Sequence, residues 1–111
     1  MKKLFTNYNF EFNKNEKKLI TTFCKQALKQ IEGDNKYFQE EKALRSIIDK
    51  VNSGAEVIKF TKDERTRLKF QLEQNVKFLD QQLKKSWFLK KWLYRSMLTQ
   101  YELLLENHFR T

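Results

Sequence analysis

The chain has 111 residues, 40% of them hydrophobic and 14% aromatic, with 23 Lys plus Arg against 14 Asp plus Glu and a formal charge of +9. That length suits a single helical domain, residues 1–111, built around one modest core. Such a charge favours acidic partners such as nucleic acid or anionic surfaces and also keeps a small protein in solution, but it carries no information about fold.

The lone Cys24 excludes an intramolecular disulfide and points to a reducing compartment, so the expected location is cytoplasmic. The start Met1-Lys2-Lys3-Leu4-Phe5 has the basic opening of a signal peptide, but Thr6-Asn7-Tyr8-Asn9 interrupts it before an apolar stretch develops. The longest unbroken apolar runs, such as Trp87-Phe88-Leu89 and Leu103-Leu104-Leu105, fall far short of the roughly 20 residues that span a bilayer.

Proline is absent, and the two glycines, Gly33 and Gly54, each stand where an apolar helical pattern stops, the position of a helix C′ residue. A first helix is predicted over Lys14 to Glu32. It places Ile20, Phe23, Cys24, Ala27, Leu28 and Ile31 on one face and Lys14, Lys18, Lys25 and Lys29 opposite. Asp34 or Asn35 can cap a second helix whose Tyr37, Phe38, Leu44, Ile47, Ile48 and Val51 keep helical spacing up to Asn52-Ser53-Gly54, completing a helical hairpin.

Glu56-Val57-Ile58-Lys59-Phe60 is a short β-prone run. Thr61-Lys62-Asp63-Glu64 follows with the spacing of a capping box, in which the Thr hydroxyl and the Glu carboxylate satisfy each other's orphan backbone donors. The third helix starts there, with a core stripe of Leu68, Leu72, Val76, Leu79 and Leu83. A fourth runs to about Phe109, with Trp87, Tyr94, Met97, Leu98, Tyr101, Leu104 and Leu105 as its core face. Between Leu83 and Trp87 only Ser86 interrupts the pattern, so this boundary is the least marked of all.

The halves echo each other. Phe12-Asn13-Lys14-Asn15-Glu16-Lys17 aligns with Phe60-Thr61-Lys62-Asp63-Glu64-Arg65, and the core stripes stay in step, suggesting a pseudo-repeat of residues 8–52 and 56–109. Any two amphipathic hairpins align nearly as well, since near-identity is confined to the caps. An extended segment precedes each cap, Tyr8 to Phe12 and Val57 to Phe60, so a minimal two-stranded ribbon can join the halves. As a reader of a DNA groove that ribbon would present Asn7, Asn9, Glu11, Val57 and Lys59, which carry little base-reading chemistry. The expected fold is therefore all-α: a four-helix bundle of two hairpins with a minimal ribbon.

The best functional clue lies between Asp80 and Glu102. Five cations, Lys84, Lys85, Lys90, Lys91 and Arg95, stand there without an acid, interleaved with Trp87, Phe88, Trp92 and Tyr94. Cations attract phosphate or acidic surfaces, and flat rings offer stacking or burial. Phe88, Lys91, Trp92 and Arg95 fall at i, i+3, i+4 and i+7 and so share one side of the fourth helix. In a purely structural reading, Phe88 and Trp92 are core residues and the two cations reach outward past them.

Phe70 and Phe78 lie off the leucine stripe of the third helix, alongside Arg67, Gln71, Gln74 and Gln81, and need cover. The cheapest cover is intramolecular, from Phe5, Tyr8, Phe10 and Phe12 or from the Phe88 and Trp92 side; otherwise these residues mark a protein interface. The lysine row that includes Lys25 and Lys29 reads first as a solvated helix face and second as a phosphate track without sequence preference.

Catalytic readings find little footing. His108 is the one histidine and has no motif around it, Cys24 falls on an apolar stripe, and neither glycine belongs to a phosphate-cradling loop. No enzyme activity, metal or cofactor is expected. The reading is an accessory binding module for RNA or a ribonucleoprotein: Phe88 and Trp92 stack or anchor, the five cations grip, and Lys25 and Lys29 form a secondary track. The alternative is a protein-interaction or homo-oligomerisation module using the Phe70, Phe78 surface, with Arg67 and Gln74 beside it, and the Phe88, Trp92 surface, or an acidic protein partner at the basic helix. Attachment to a membrane surface ranks last.

Overall fold

A computed structural model describes residues 8–86 and 88–109 of the chain. The order of elements is β1 (Tyr8–Phe10), α1 (Lys14–Ile31), a 3-10 turn (Asn35–Tyr37), α2 (Phe38–Val51), β2 (Ile58–Phe60), α3 (Lys62–Lys85) and α4 (Phe88–His108). The expected all-α architecture, four helices with a minimal ribbon, is the one the chain adopts. It divides into two compact units, residues 1–67 and 68–111.

In the first unit β1 and β2 pair antiparallel with Tyr8 opposite Phe60, Asn9 opposite Lys59 and Phe10 opposite Ile58. Side chains alternate across a strand, so Phe10, Ile58 and Phe60 point inward and are buried while Asn9 and Lys59 face outward and are exposed. A two-stranded ribbon is marginal by itself. Here a cluster of rings supports it: Phe12 stacks on Phe10 at 5.2 Å between centroids, and Phe60 tilts against both.

α1 begins at a complete capping box, Asn13 accepting from the Glu16 N–H while the Glu16 carboxylate accepts from the Asn13 N–H. Its buried residues, Ile20, Phe23, Cys24 and Leu28, lie on the predicted face. α2 folds back along α1: Arg45 reaches Glu32 at the end of α1, and Asn52 at the end of α2 donates to Thr21 nearer its start. Ala43, Leu44, Ile47 and Val51 close the hairpin core.

Two sequence expectations need correction. Tyr37 and Phe38 do not join that core but are 41% and 60% exposed. Phe38 is the first residue of α2, and at roughly 100° per residue it falls on the side of Lys42 and Arg45, away from Ala43, Leu44, Ile47 and Val51; Tyr37 lies before the helix, in the 3-10 turn that Asp34 caps. Gly33 does occupy C′, directly after the Glu32 cap, but Gly54 comes two residues after the Asn52 cap; both adopt positive φ, 86° and 89°.

The start of α3 is tied to α2 by several side-chain bonds. Thr61 Oγ1 accepts from the Glu64 N–H at 3.1 Å, and Glu64 Oε1 accepts from the Thr61 N–H at 2.9 Å, as predicted. The same carboxylate also accepts from Lys50 Nζ at 2.6 Å and from the Ser46 hydroxyl, both on α2. Glu64 is buried at 7% exposure. One turn on, Arg67 bridges Glu40 of α2 at 2.6 Å and Asp63 at 3.0 Å.

In the second unit the buried positions of α3 are Leu68, Leu72 and Leu79, with Val76 and Leu83 half-buried on the same stripe. Tyr101, Leu104, Leu105 and Phe109 are buried towards the C-terminal end of the unit, while Tyr94, Met97 and Leu98 of α4 are half-buried. Trp87, assigned to this face by its spacing, lies outside the described residues. α3 stops at Lys85, and the Ser86 hydroxyl turns back to donate to the Gln82 carbonyl at 2.6 Å, a side-chain bond that competes with helical continuation.

Burial alone would raise the Glu64 pKa, but the bonds from Lys50, Ser46 and the Thr61 N–H outweigh it and hold the carboxyl below its ordinary 4.5. A folded-state pKa below the unfolded one stabilises above about 4.5, and that contribution fades as pH falls through the folded value. Glu64→Gln is therefore expected to cost about 1–2 kcal/mol at pH 7, the low end for bonds to a charged group because Lys50 is partly solvated. The gap in urea midpoint from the parent chain should shrink as pH drops below 4.5. A gap independent of pH would show that the carboxylate charge is not what these bonds depend on.

Candidate basic-aromatic interface

On a helix successive side chains advance by roughly 100°, which decides which of the predicted residues share a side. On α4 that rotation puts Arg95 between Trp92 and Lys91, and continues the face of Trp92 through Ser96, Thr99 and Leu103. Trp92 is 68% exposed and Leu103 55%, and Arg95, Ser96 and Thr99 are exposed as well. Lys91 is half-buried at the edge of this face. Glu102 and Glu106 bring acid to its C-terminal end.

Lys90 is exposed but points to nearly the opposite side of α4, the side that further along carries Tyr101 and Leu104. The side chain of Phe88 lies outside the described residues. Lys84 and Lys85 are exposed in the last turn of α3, where cations complement the negative end of the helix dipole, and Lys84 also meets Asp80 at 3.3 Å. The first turn of α4 contains no acid. Lys90 and Lys91 thus stand near a positive helix end, an arrangement that disfavours the helix by about 0.3–1 kcal/mol per charge. Lys84 and Lys85 have a structural account, whereas the cations of α4 have none within their own helix.

Pairing separates the cations further. Arg45, Lys50 and Arg67 are all held by carboxylates. Among the described residues Lys90, Lys91 and Arg95 take part in no ion pair. Lys25 and Lys29 are exposed on α1, on the side away from its buried face.

On α3, Phe70 is 57% exposed and Phe78 53%, with Gln74 exposed between them. Of the expected intramolecular cover, Phe10 and Phe12 pack with Phe60 and Trp92 is itself exposed, while Phe5 and the side chains of Tyr8 and Phe88 lie outside the described residues. Arg67, one turn earlier on α3, has its guanidinium engaged by Glu40 and Asp63, which raise its pKa further. That leaves Phe70, Gln74 and Phe78 as the outward part of the predicted protein interface.

Cys24 is fully buried, and that burial, with the Glu40 charge adding to it, pushes the thiol up to about 12. It is a small buried side chain with no thiolate at neutral pH. Among the described residues no helix is long and apolar enough to cross a membrane. Compared with protein-family models, curated proteins and solved structures, the chain matches none.

The sequence pattern missed the continuation of the Trp92 face through Ser96, Thr99 and Leu103. Its signal is the same helical spacing, extended two further turns past Arg95. Because Trp92 and Arg95 are exposed, Trp92→Ala and Arg95→Glu should each move stability by no more than about 0.5 kcal/mol, read from the urea midpoint. A loss of about 3–5 kcal/mol for Trp92→Ala, the size of an aromatic core truncation, would mean that the ring is buried.

Proposed function

We propose that this chain is a non-catalytic accessory binding module for an acidic partner, RNA or a ribonucleoprotein, and that α4 is its contact helix. The observation that carries this reading is the 68% exposure of Trp92 beside Arg95 and Lys91, cations that no carboxylate of the described chain neutralises. A large ring in water with adjacent unpaired charge is what stacking on a base and gripping its phosphate require. Lys84, Lys85 and Lys90 extend the positive field, and Lys25 and Lys29 form a secondary phosphate track. The buried thiol of Cys24, held protonated, favours a binding role over a nucleophilic one. The single free thiol also suits a cytoplasmic setting.

A second reading is favoured by the exposure of Phe70 and Phe78. A protein partner, or a second copy of the chain, would cover them and Gln74 with an apolar surface.

Pull-downs with the parent chain, Lys91→Glu, Arg95→Glu and Trp92→Ala, at two salt concentrations and with or without nuclease, separate the readings. For RNA, recovered material should be nuclease-sensitive, charge reversal should abolish it, and salt should weaken it through counterion uptake. With Phe70→Ala and Phe78→Ala added to the set, a complex that survives nuclease, resists salt and is lost mainly with either of them would instead assign the α3 surface to a protein. If no substitution changes any recovered partner, the α4 assignment is wrong.

A further inference from the structure

We infer that the α4 surface takes a short unpaired stretch of RNA, two to three nucleotides long, and not a duplex; this deepens the proposed RNA-binding role and rests on it. The argument begins with the ring. Trp92 is exposed on α4, and by helical rotation Arg95 and Lys91 follow round one flank of the helix. An aromatic ring gains stacking energy from a base only when that base presents its face, and inside a duplex both faces are already stacked on neighbouring bases. The ring therefore selects unpaired nucleotides, and it does so without sequence preference because every base has a π-face.

The α-helix that presents these groups is also poorly suited to A-form RNA, whose major groove is deep and too narrow for side chains to read. Charge sets the length. Lys91 and Arg95 are four residues apart, about 6 Å along the axis at a rise of roughly 1.5 Å per residue. Two cations on that span hold one phosphate each, which limits the footprint to two or three nucleotides. Beyond Arg95 the face continues through uncharged Ser96 and Thr99 to Glu102 and Glu106, whose carboxylates repel phosphate and close the footprint. Two neutralised phosphates predict a shallow salt dependence, a slope of about −1.4 in log affinity against log salt for a single strand.

The test uses the full chain in low salt with Trp87→Phe as background, so that Trp92 is the one fluorophore of its kind. It is titrated with a ten-nucleotide oligouridylate and, separately, with a ten-base-pair GC-rich RNA duplex, each end-labelled so that affinity is read by anisotropy in the Trp92 variants as well as from Trp92 emission in the parent. The inference expects the Trp92 emission to change on adding the single strand, affinity for it at least tenfold above that for the duplex, and loss of the preference in Trp92→Ala but not in Trp92→Phe. Equal affinity for both probes, unaffected by Trp92→Ala, overturns the inference while leaving RNA binding by the cations intact. Binding of neither probe removes the RNA reading itself, and with it this inference.

Discussion

The Glu64 carboxylate is the constraint on which the first unit depends. One group closes the capping box of α3 with Thr61 and accepts from Lys50 and Ser46 of α2. A capping box ordinarily stabilises a single helix end. This one also fixes where that helix end lies against α2, and because β2 ends at Phe60, next to Thr61, it sets the position of the ribbon too. A buried carboxylate carries a desolvation cost that only a full set of partners offsets. Glu64 has that set, and Arg67, bonded to Glu40 and Asp63 a turn later, repeats the link from α2 to α3.

The chain thus uses its polar side chains in two ways. In the first unit, charges on α2 and the start of α3 are largely consumed in holding elements together. On α4 Lys91 and Arg95, the cations near Trp92, take part in no ion pair among the described residues, and Lys91 stands in the first turn, where the helix dipole opposes it. A surface with a local folding cost and a large exposed ring is better explained by what it contacts than by what it supports. Phe70 and Phe78 on α3 present exposed rings as well, but there Arg67 is committed to Glu40 and Asp63, which leaves that patch more apolar in character.

Much of the fold was legible because its signals are local. Asn13 with Glu16 and Thr61 with Glu64 announce helix starts within four residues, and Ile20, Cys24 and Leu28 announce the buried face of α1 by spacing alone. The second role of Glu64 was not legible, since Ser46 and Lys50 lie 18 and 14 residues away on another helix and nothing in the spacing pairs them. Tyr37 departs from the pattern because it belongs to a 3-10 turn, and Phe38 because its helical phase is that of exposed Arg45 and not of Leu44 and Ile47. At the candidate interface, the grouping of Lys91, Trp92 and Arg95 followed from helical spacing. The outlying direction of Lys90 follows from the same rotation but is obscured when the run is read as one basic block.

The central functional claim is that contact with an acidic partner begins at the Trp92, Arg95 and Lys91 side of α4. The most direct measurement is a two-dimensional amide and indole NMR titration of the full chain with single-stranded RNA, with Trp92→Phe assigning the indole signal. The account predicts that the Trp92 indole and the amides around Lys91 and Arg95 move most, while Phe10, Ile58 and Glu64 stay still. Largest changes along α1 at Lys25 and Lys29, with the Trp92 indole unmoved, would contradict it.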